Sequence, residues 1–192
     1  MRASSRRSST IGETVSTARA RTMPTRWDGR ALTRSLEGSL QRLKRERVEV
    51  FMLHSPPADV VRAGEAVGAL ARARHSGKVG VVGVSVDDVE TALECLEDDR
   101  VQVLQVPLRP DDDEFHEVIS RARRAEVAVV VREILGGRAN AASQPDPGLW
   151  VSRRIGSAIH HPGVAMPVVG VTRLATLTAT AASARAAAAN ER

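Results

Sequence analysis

The stretch VGVVGVS at residues 79–85 runs through four valines and two glycines before its first polar side chain, Ser85. Near-continuous apolarity over so short a run marks a strand buried on both faces, as strands in parallel sheets are. Working outward, the same pairing of a β-branched run with a segment of helical period recurs on both sides. Upstream, VEVFMLH at 48–54 reads as a strand behind a helix over about Ala31 to Lys44. Leu32, Leu36, Leu40 and Leu43 give that helix one apolar stripe. Further upstream ETVSTA at 13–18 reads as another strand. Downstream of His54 a Ser-Pro-Pro break leads to a helix from Asp59 to about His75, with Asp59 as its cap. Beyond Ser85 come a helix from Asp87 to Glu97 with Asp at its positive end, a strand at 101–106 and a helix over about Asp112 to Ala125. A strand at 127–132, a long loop from Arg138 to Gly148 and a helix at 149–160 follow. The strand MPVVG at 166–170 and an Ala-rich helix from about Leu174 to Ala189 complete the pattern.

Six consecutive β/α units fit either an open doubly wound sheet or most of a (β/α)8 barrel, which in full takes about 250 residues. No Gly-rich phosphate fingerprint opens the first unit, and no acid follows about 20 residues behind one, which counts against the dinucleotide-binding sheet. Residues 1–10 (MRASSRRSST) read as a disordered Arg/Ser-rich tail without an apolar signal region, leaving 11–192 as the folded domain.

Composition narrows the function classes. The 192 residues are 42% hydrophobic and 27% charged, a globular balance, and no apolar run approaches the roughly 18 residues of a membrane span. The 28 basic residues include only two lysines, Lys44 and Lys78, a skew that reads as codon composition. A pI near 10.7 without aromatic interleaving implies no specific nucleic-acid site. One cysteine, Cys95, allows neither an internal disulfide nor a thiolate metal centre, and suits a reducing cytoplasm. His160-His161 reads as an ordinary helix terminus, the acidic run 111–114 as a helix start, and Arg121, Arg123 and Arg124 as a solvated face. Polar residues at the carboxyl ends of strands mark the pocket in either architecture: Ser16 and Thr17, His54, Ser85, Gln105, Glu133, and Gly170 with Thr172.

Five segments then resemble the aldo-keto reductase family in order and spacing. SLEGSLQRL at 35–43 followed by VEVFMLH is similar to the family's "SLE.SL.RL" and "D..LLH" segment, whose final histidine lies in the active site. GKVGVVGVS at 77–85 resembles "GK.R.IGVSN", VQVLQV at 101–106 resembles "D..Q..YN", and VVVREILGGR at 129–138 resembles "V.AREPL..G". HPGVAMPVVGVTRLATL at 161–177 resembles the last strand and its cofactor-phosphate loop. The resemblance implies a (β/α)8 barrel that binds NADP(H) and reduces carbonyls. Its general acid is a tyrosine from the first two units, assisted by an aspartate there, by a lysine ending the third strand and by the histidine of the fourth.

By this comparison the chain corresponds to strands three to eight, an incomplete barrel. The units carrying the aspartate and tyrosine are missing, Ala18 stands in the lysine's place, and the sequence contains no tyrosine. His54 is the catalytic residue that carries over. Ser85 keeps the carboxamide-binding serine, with Val86 replacing the asparagine beside it, and Gln105 is retained. Gly170 and Thr172 keep the phosphate contacts at a helix start, and Arg173 adds charge. The adenine-contacting Glu-Asn pair falls on Ala179 and Thr180, and Glu133 to Leu135 offers no ring to stack on nicotinamide. Affinity for NADP(H) is therefore expected to be weak or lost. Three classes follow: a reductase by descent acting weakly or not at all on a small carbonyl substrate, a noncatalytic ligand-binding or partner module, and a fragment whose first units are encoded upstream.

An opened barrel leaves edge strands near Val15 and Val168 unpaired, which favours a homodimer or a missing partner chain. Sedimentation at micromolar concentration should show a dimer or larger species. A compact monomer with one cooperative thermal transition would mean that the six units close on themselves.

Overall fold

Three of the described helices open on aspartate caps, Asp28, Asp88 and Asp146. Asp28 accepts the Ala31 N–H at 2.9 Å and opens α1 (Gly29–Leu43), whose Leu36 and Leu40 are buried while Leu43 is exposed. The other elements are β1 (Val48–His54), α2 (Ala58–Ala63), α3 (Glu65–His75), β2 (Val79–Ser85), α4 (Val89–Leu96), β3 (Val103–Pro107) and α5 (His116–Arg124). After these come β4 (Ala128–Arg132), α6 (Arg138–Ala142), α7 (Pro147–Ile159), β5 (Val164–Pro167) and α8 (Leu174–Ala189). The structure is a computed structural model and describes residues 27–189. The tail at 1–10, the strand expected at 13–18 and Ala18 lie outside them.

All four strand pairings are parallel and the order is β1-β2-β3-β4-β5. A doubly wound sheet reverses direction midway; sequential order is the winding of a (β/α)8 barrel, and this sheet is part of one. Register sorts the side chains. Leu53, Val84, Leu104 and Val129 face one another across the strands and are at most 1% exposed. They form one core with Val67 and Leu70 of α3, Ala92 and Cys95 of α4, and Val118 and Ile119 of α5. The alternate row, Met52, Gly83, Val103 and Ala128, lies on the other face, and its next level is His54, Ser85, Gln105 and Val130. That face is uncovered toward the sheet's edges, with Val50 43% and Met166 53% exposed. Among the described residues β1 and β5 are the edge strands.

Several boundaries differ from the sequence reading for local reasons. The helix expected from Asp59 to His75 is two helices, because Gly64 adopts φ 71° and ends one while beginning the next. Pro57, not Asp59, precedes α2, and the Asp59 carboxylate accepts the adjacent Val60 N–H instead. Asp88 rather than Asp87 caps α4, accepting from Thr91 N at 2.7 Å. The acidic run precedes α5 instead of opening it, with Asp112 accepting from Glu114 N at 3.0 Å. The loop from Arg138 to Gly148 contains α6, and Asp146 with Pro147 starts α7 two residues before Leu149. The fifth strand lies at Val164–Pro167 instead of 166–170, since Gly163 at φ 94° makes the turn into it. Cys95 is fully buried, and burial, together with Asp98, Asp88 and Glu94, pushes its thiol up to about 12. No described helix is long and apolar enough to cross a membrane.

Gly83 lies directly beneath the Ser85 level. A Cβ there would fall 2.6 Å from Met52 Cγ and 2.9 Å from the Val103 carbonyl oxygen. Gly83→Ala should therefore destabilise the fold by about 1–3 kcal/mol, as overpacked cores do. Gly148→Ala, whose Cβ meets only Asp146 Oδ1 at 3.6 Å in the first turn of α7, should cost nothing or add roughly 0.5–1 kcal/mol. Urea midpoints decide it: equal midpoints for Gly83→Ala and the unaltered chain would refute the packing argument.

Candidate functional site

Parallel strands deliver their carboxyl ends to one rim, and here the ladder sets three polar residues at the same level. His54 is opposite Ser85, and Ser85 is opposite Gln105. Ser85 is 3% exposed, and its hydroxyl donates to Gln105 Oε1 at 2.9 Å. A buried hydroxyl without such a partner would cost about 1–3 kcal/mol, so the pair supports both side chains.

Just beyond this level a charged chain crosses the rim. Ser55, at φ 48°, donates through its hydroxyl to Asp87 Oδ2 at 2.6 Å and through its N–H to the Ser85 carbonyl at 2.7 Å. Arg132, at the end of β4, donates to the Val86 carbonyl at 2.9 Å and also pairs with Asp87 and Glu133. Glu133, at φ 60°, accepts from Arg109 Nε at 2.8 Å. Two non-glycine residues in left-handed conformation at strand ends are held there by these contacts. Burial works to raise the Asp87 carboxyl. The Ser55 hydroxyl, Arg132 and nearby His54 outweigh it and hold Asp87 below the ordinary aspartate range.

The loops after β4 and β5 enclose a cavity of about 870 Å3. Gly170, Thr172 and Arg173 line one side with Thr176 and Thr180 of α8; Ile134, Leu135 and Val151 make an apolar wall opposite. His54, Ser85 and Gln105 are not among the lining residues. The candidates named from sequence thus fall into two groups, a strand-end row and a loop cavity. Arg132 and Glu133, which line the cavity and belong to the rim chain, link them. Sequence reasoning missed Ser55, Asp87 and Arg132 as site residues. The signal was faint: each lies within two residues of a named strand-end position, but their pairing spans up to 45 residues of chain.

The comparisons with known proteins agree with this fold. The aldo/keto reductase family model matches residues 13–148, most of the chain. The chain belongs to the aldo/keto reductase family. It is similar to a structure from Pseudomonas aeruginosa described as an aldo-keto reductase, at 26% identity and a TM-score of 0.72, covering 85% of this chain and 61% of that one. It shares its fold with an aldo-keto reductase of Bacillus halodurans in holo form, at 17% identity and a TM-score of 0.73, covering 84% and 63%. The chain therefore spans about six-tenths of the length of these structures. A comparison with curated proteins gives no match.

Family members generally bind NAD(P)H. The donor set in the cavity fits the phosphate-bearing part of such a ligand: Arg173 contributes charge, Thr172 lies just before α8, and nothing lies within 4 Å of where a Gly170 Cβ would be.

Because its folded-state pKa is depressed, the Asp87 carboxylate adds stability above the ordinary aspartate value, and that stability is lost as pH falls through the lower folded value. Ser55→Ala removes one of the contacts that hold the Asp87 carboxyl down, so Asp87 should titrate higher, nearer the ordinary range. Carbon-detected NMR of the side-chain carboxyl reads this directly. An unmoved midpoint would show that Arg132 and His54 set it without the Ser55 hydroxyl.

Proposed function

We propose that the chain is a nicotinamide-cofactor-binding member of its family with little or no carbonyl reductase turnover, a pseudoenzyme as it stands. The observation that carries this reading is the absence of tyrosine from all 192 residues. Loss of a general acid costs about 10²–10⁴ in rate. Asp87 does not replace it: held below the ordinary range and hydrogen-bonded by Ser55, it is ionised near neutral pH and has no proton to give.

The proposed roles follow the geometry. Ser85 and Gln105 hold the carboxamide of NADP(H), and Gly170, Thr172 and Arg173 take its phosphate. His54, on the edge strand at the same level, orients a small carbonyl substrate. When bound, the reduced cofactor supplies hydride; the chain supplies position and charge. Without the adenine contacts, affinity is low. A single, buried cysteine suits a cytoplasmic setting. A second reading, a noncatalytic module completed by a partner chain or by a second copy, is favoured by the exposed Val50 and Met166 at the sheet edges.

NADPH fluorescence titration tests the site. Gln105→Ala and Thr172→Ala should each weaken binding roughly fivefold to tenfold, about 1–1.5 kcal/mol per lost hydrogen bond. Equal affinities in all three proteins would dismiss the assignment. Reduction of aldehydes by NADPH that disappears in His54→Ala would instead show a working enzyme.

A further inference from the structure

The amino-terminal end of the sheet, opposite the rim just described, carries a second concentration of charge. An open cavity of about 440 Å3 is lined by Arg47, Ala71, Arg74, His75, Val79 and Gly80. Gly80 is its centre. Arg74 Nε donates to the Gly80 carbonyl at 3.2 Å, and a Cβ on Gly80 would fall 2.9 Å from Arg47 Nη2. The missing side chain is what lets the Arg47 guanidinium approach Gly80 while Arg74 holds its carbonyl, and His75 lines the same cavity.

Among the described residues none of these three cationic groups lies within ion-pair distance of a carboxylate. The neighbouring acids are otherwise engaged: Glu49 pairs with Arg45 at 3.3 Å, and Glu37 pairs with Lys78. Glu46, next to Arg47 in the chain, makes no ion pair among the described residues and does not line the cavity. The carboxyl end of α3 accounts in part for Arg74 and His75, since cations favour that end of a helix dipole. It does not account for Arg47, which arrives from the loop between α1 and β1. Uncompensated like charges held together in a concave site are stabilised by an anion, and paired guanidiniums match the oxygens of a phosphate group.

We propose that Arg47, Arg74 and His75 form a phosphate-binding site around Gly80. It shares no lining residue with the cavity holding Arg173, and it lies at the other end of β2 from the strand-end row, Gly80 and Ser85 bounding a segment about 17 Å long at roughly 3.3 Å per residue. The ligand class is a phosphate group, free or as the monoester of a small molecule.

Calorimetric titration of the full chain with inorganic phosphate and with glycerol phosphate, at constant ionic strength set by chloride, tests the proposal. Both probes should bind, and Arg47→Gln and Arg74→Gln should each weaken binding at least tenfold. Arg124→Gln, an exposed arginine of α5 outside both cavities, should leave it unchanged, and Arg173→Gln identifies any part of the signal taken up at the cofactor cavity. Tighter binding of the monoester assigns the site to an organic phosphate, and tighter binding of inorganic phosphate assigns it to the free ion. No binding above the chloride background overturns the proposal. So does binding that survives both amino-terminal variants, or binding lost only in Arg173→Gln. Thermal melts of the variants separate lost binding from lost folding, and the Arg173→Gln arm keeps the outcome independent of the cofactor site.

Discussion

Parallel pairing in a fixed register is the constraint from which the rest of this molecule follows. Val84 aligns with Leu104 and Ser85 with Gln105, so the apolar row and the polar row fall on opposite faces. A slip of one residue between β2 and β3 would bring Ser85 level with a residue that faces the helices and would break its bond to Gln105. Because strands of one direction end together, that register also decides that His54, Ser85 and Gln105 meet at one rim.

Charge at the rim is largely self-contained. Asp87 is answered by Ser55 and Arg132, and Glu133 by Arg109 and Arg132. Such a closed chain holds loops in place and pins two strained backbone positions, but it offers the rim little unspent acidity. The loop cavity is built differently, from apolar walls and short hydroxyls with Arg132, Glu133 and Arg173 at its margin, which suits binding better than proton transfer.

Period and turn chemistry made most of the fold legible in the sequence. The leucine stripe of α1, the valine runs of β2 and β4 and the Ser-Pro-Pro break after His54 all correspond to observed elements. The misses have physical causes. Gly64 and Gly68 lie four residues apart in one apparent helical run, and only the backbone shows that the first adopts φ 71° while the helix passes through the second. The sequence pattern sets the last strand late because Val168 and Val169 continue the β-branched run past Pro167. Pairing does run one residue beyond it, through Val168 N to the Val131 carbonyl at 2.7 Å. Individual strand-end residues of the site could be named from sequence. Their division between a row and a cavity, and the Arg132 bridge between the two, depends on tertiary distances that no local pattern encodes.

The buried Cys95 has a practical side. It is the chain's only thiol, fully enclosed by α4 and the sheet and kept protonated by its surroundings, so it is silent toward maleimides and iodoacetamides in the native state. The native sequence is thus already suited to site-specific labelling. A cysteine introduced at exposed Val50 or Leu174 would be the one reactive sulfur, and would take a fluorophore or spin label without a prior round of cysteine removal.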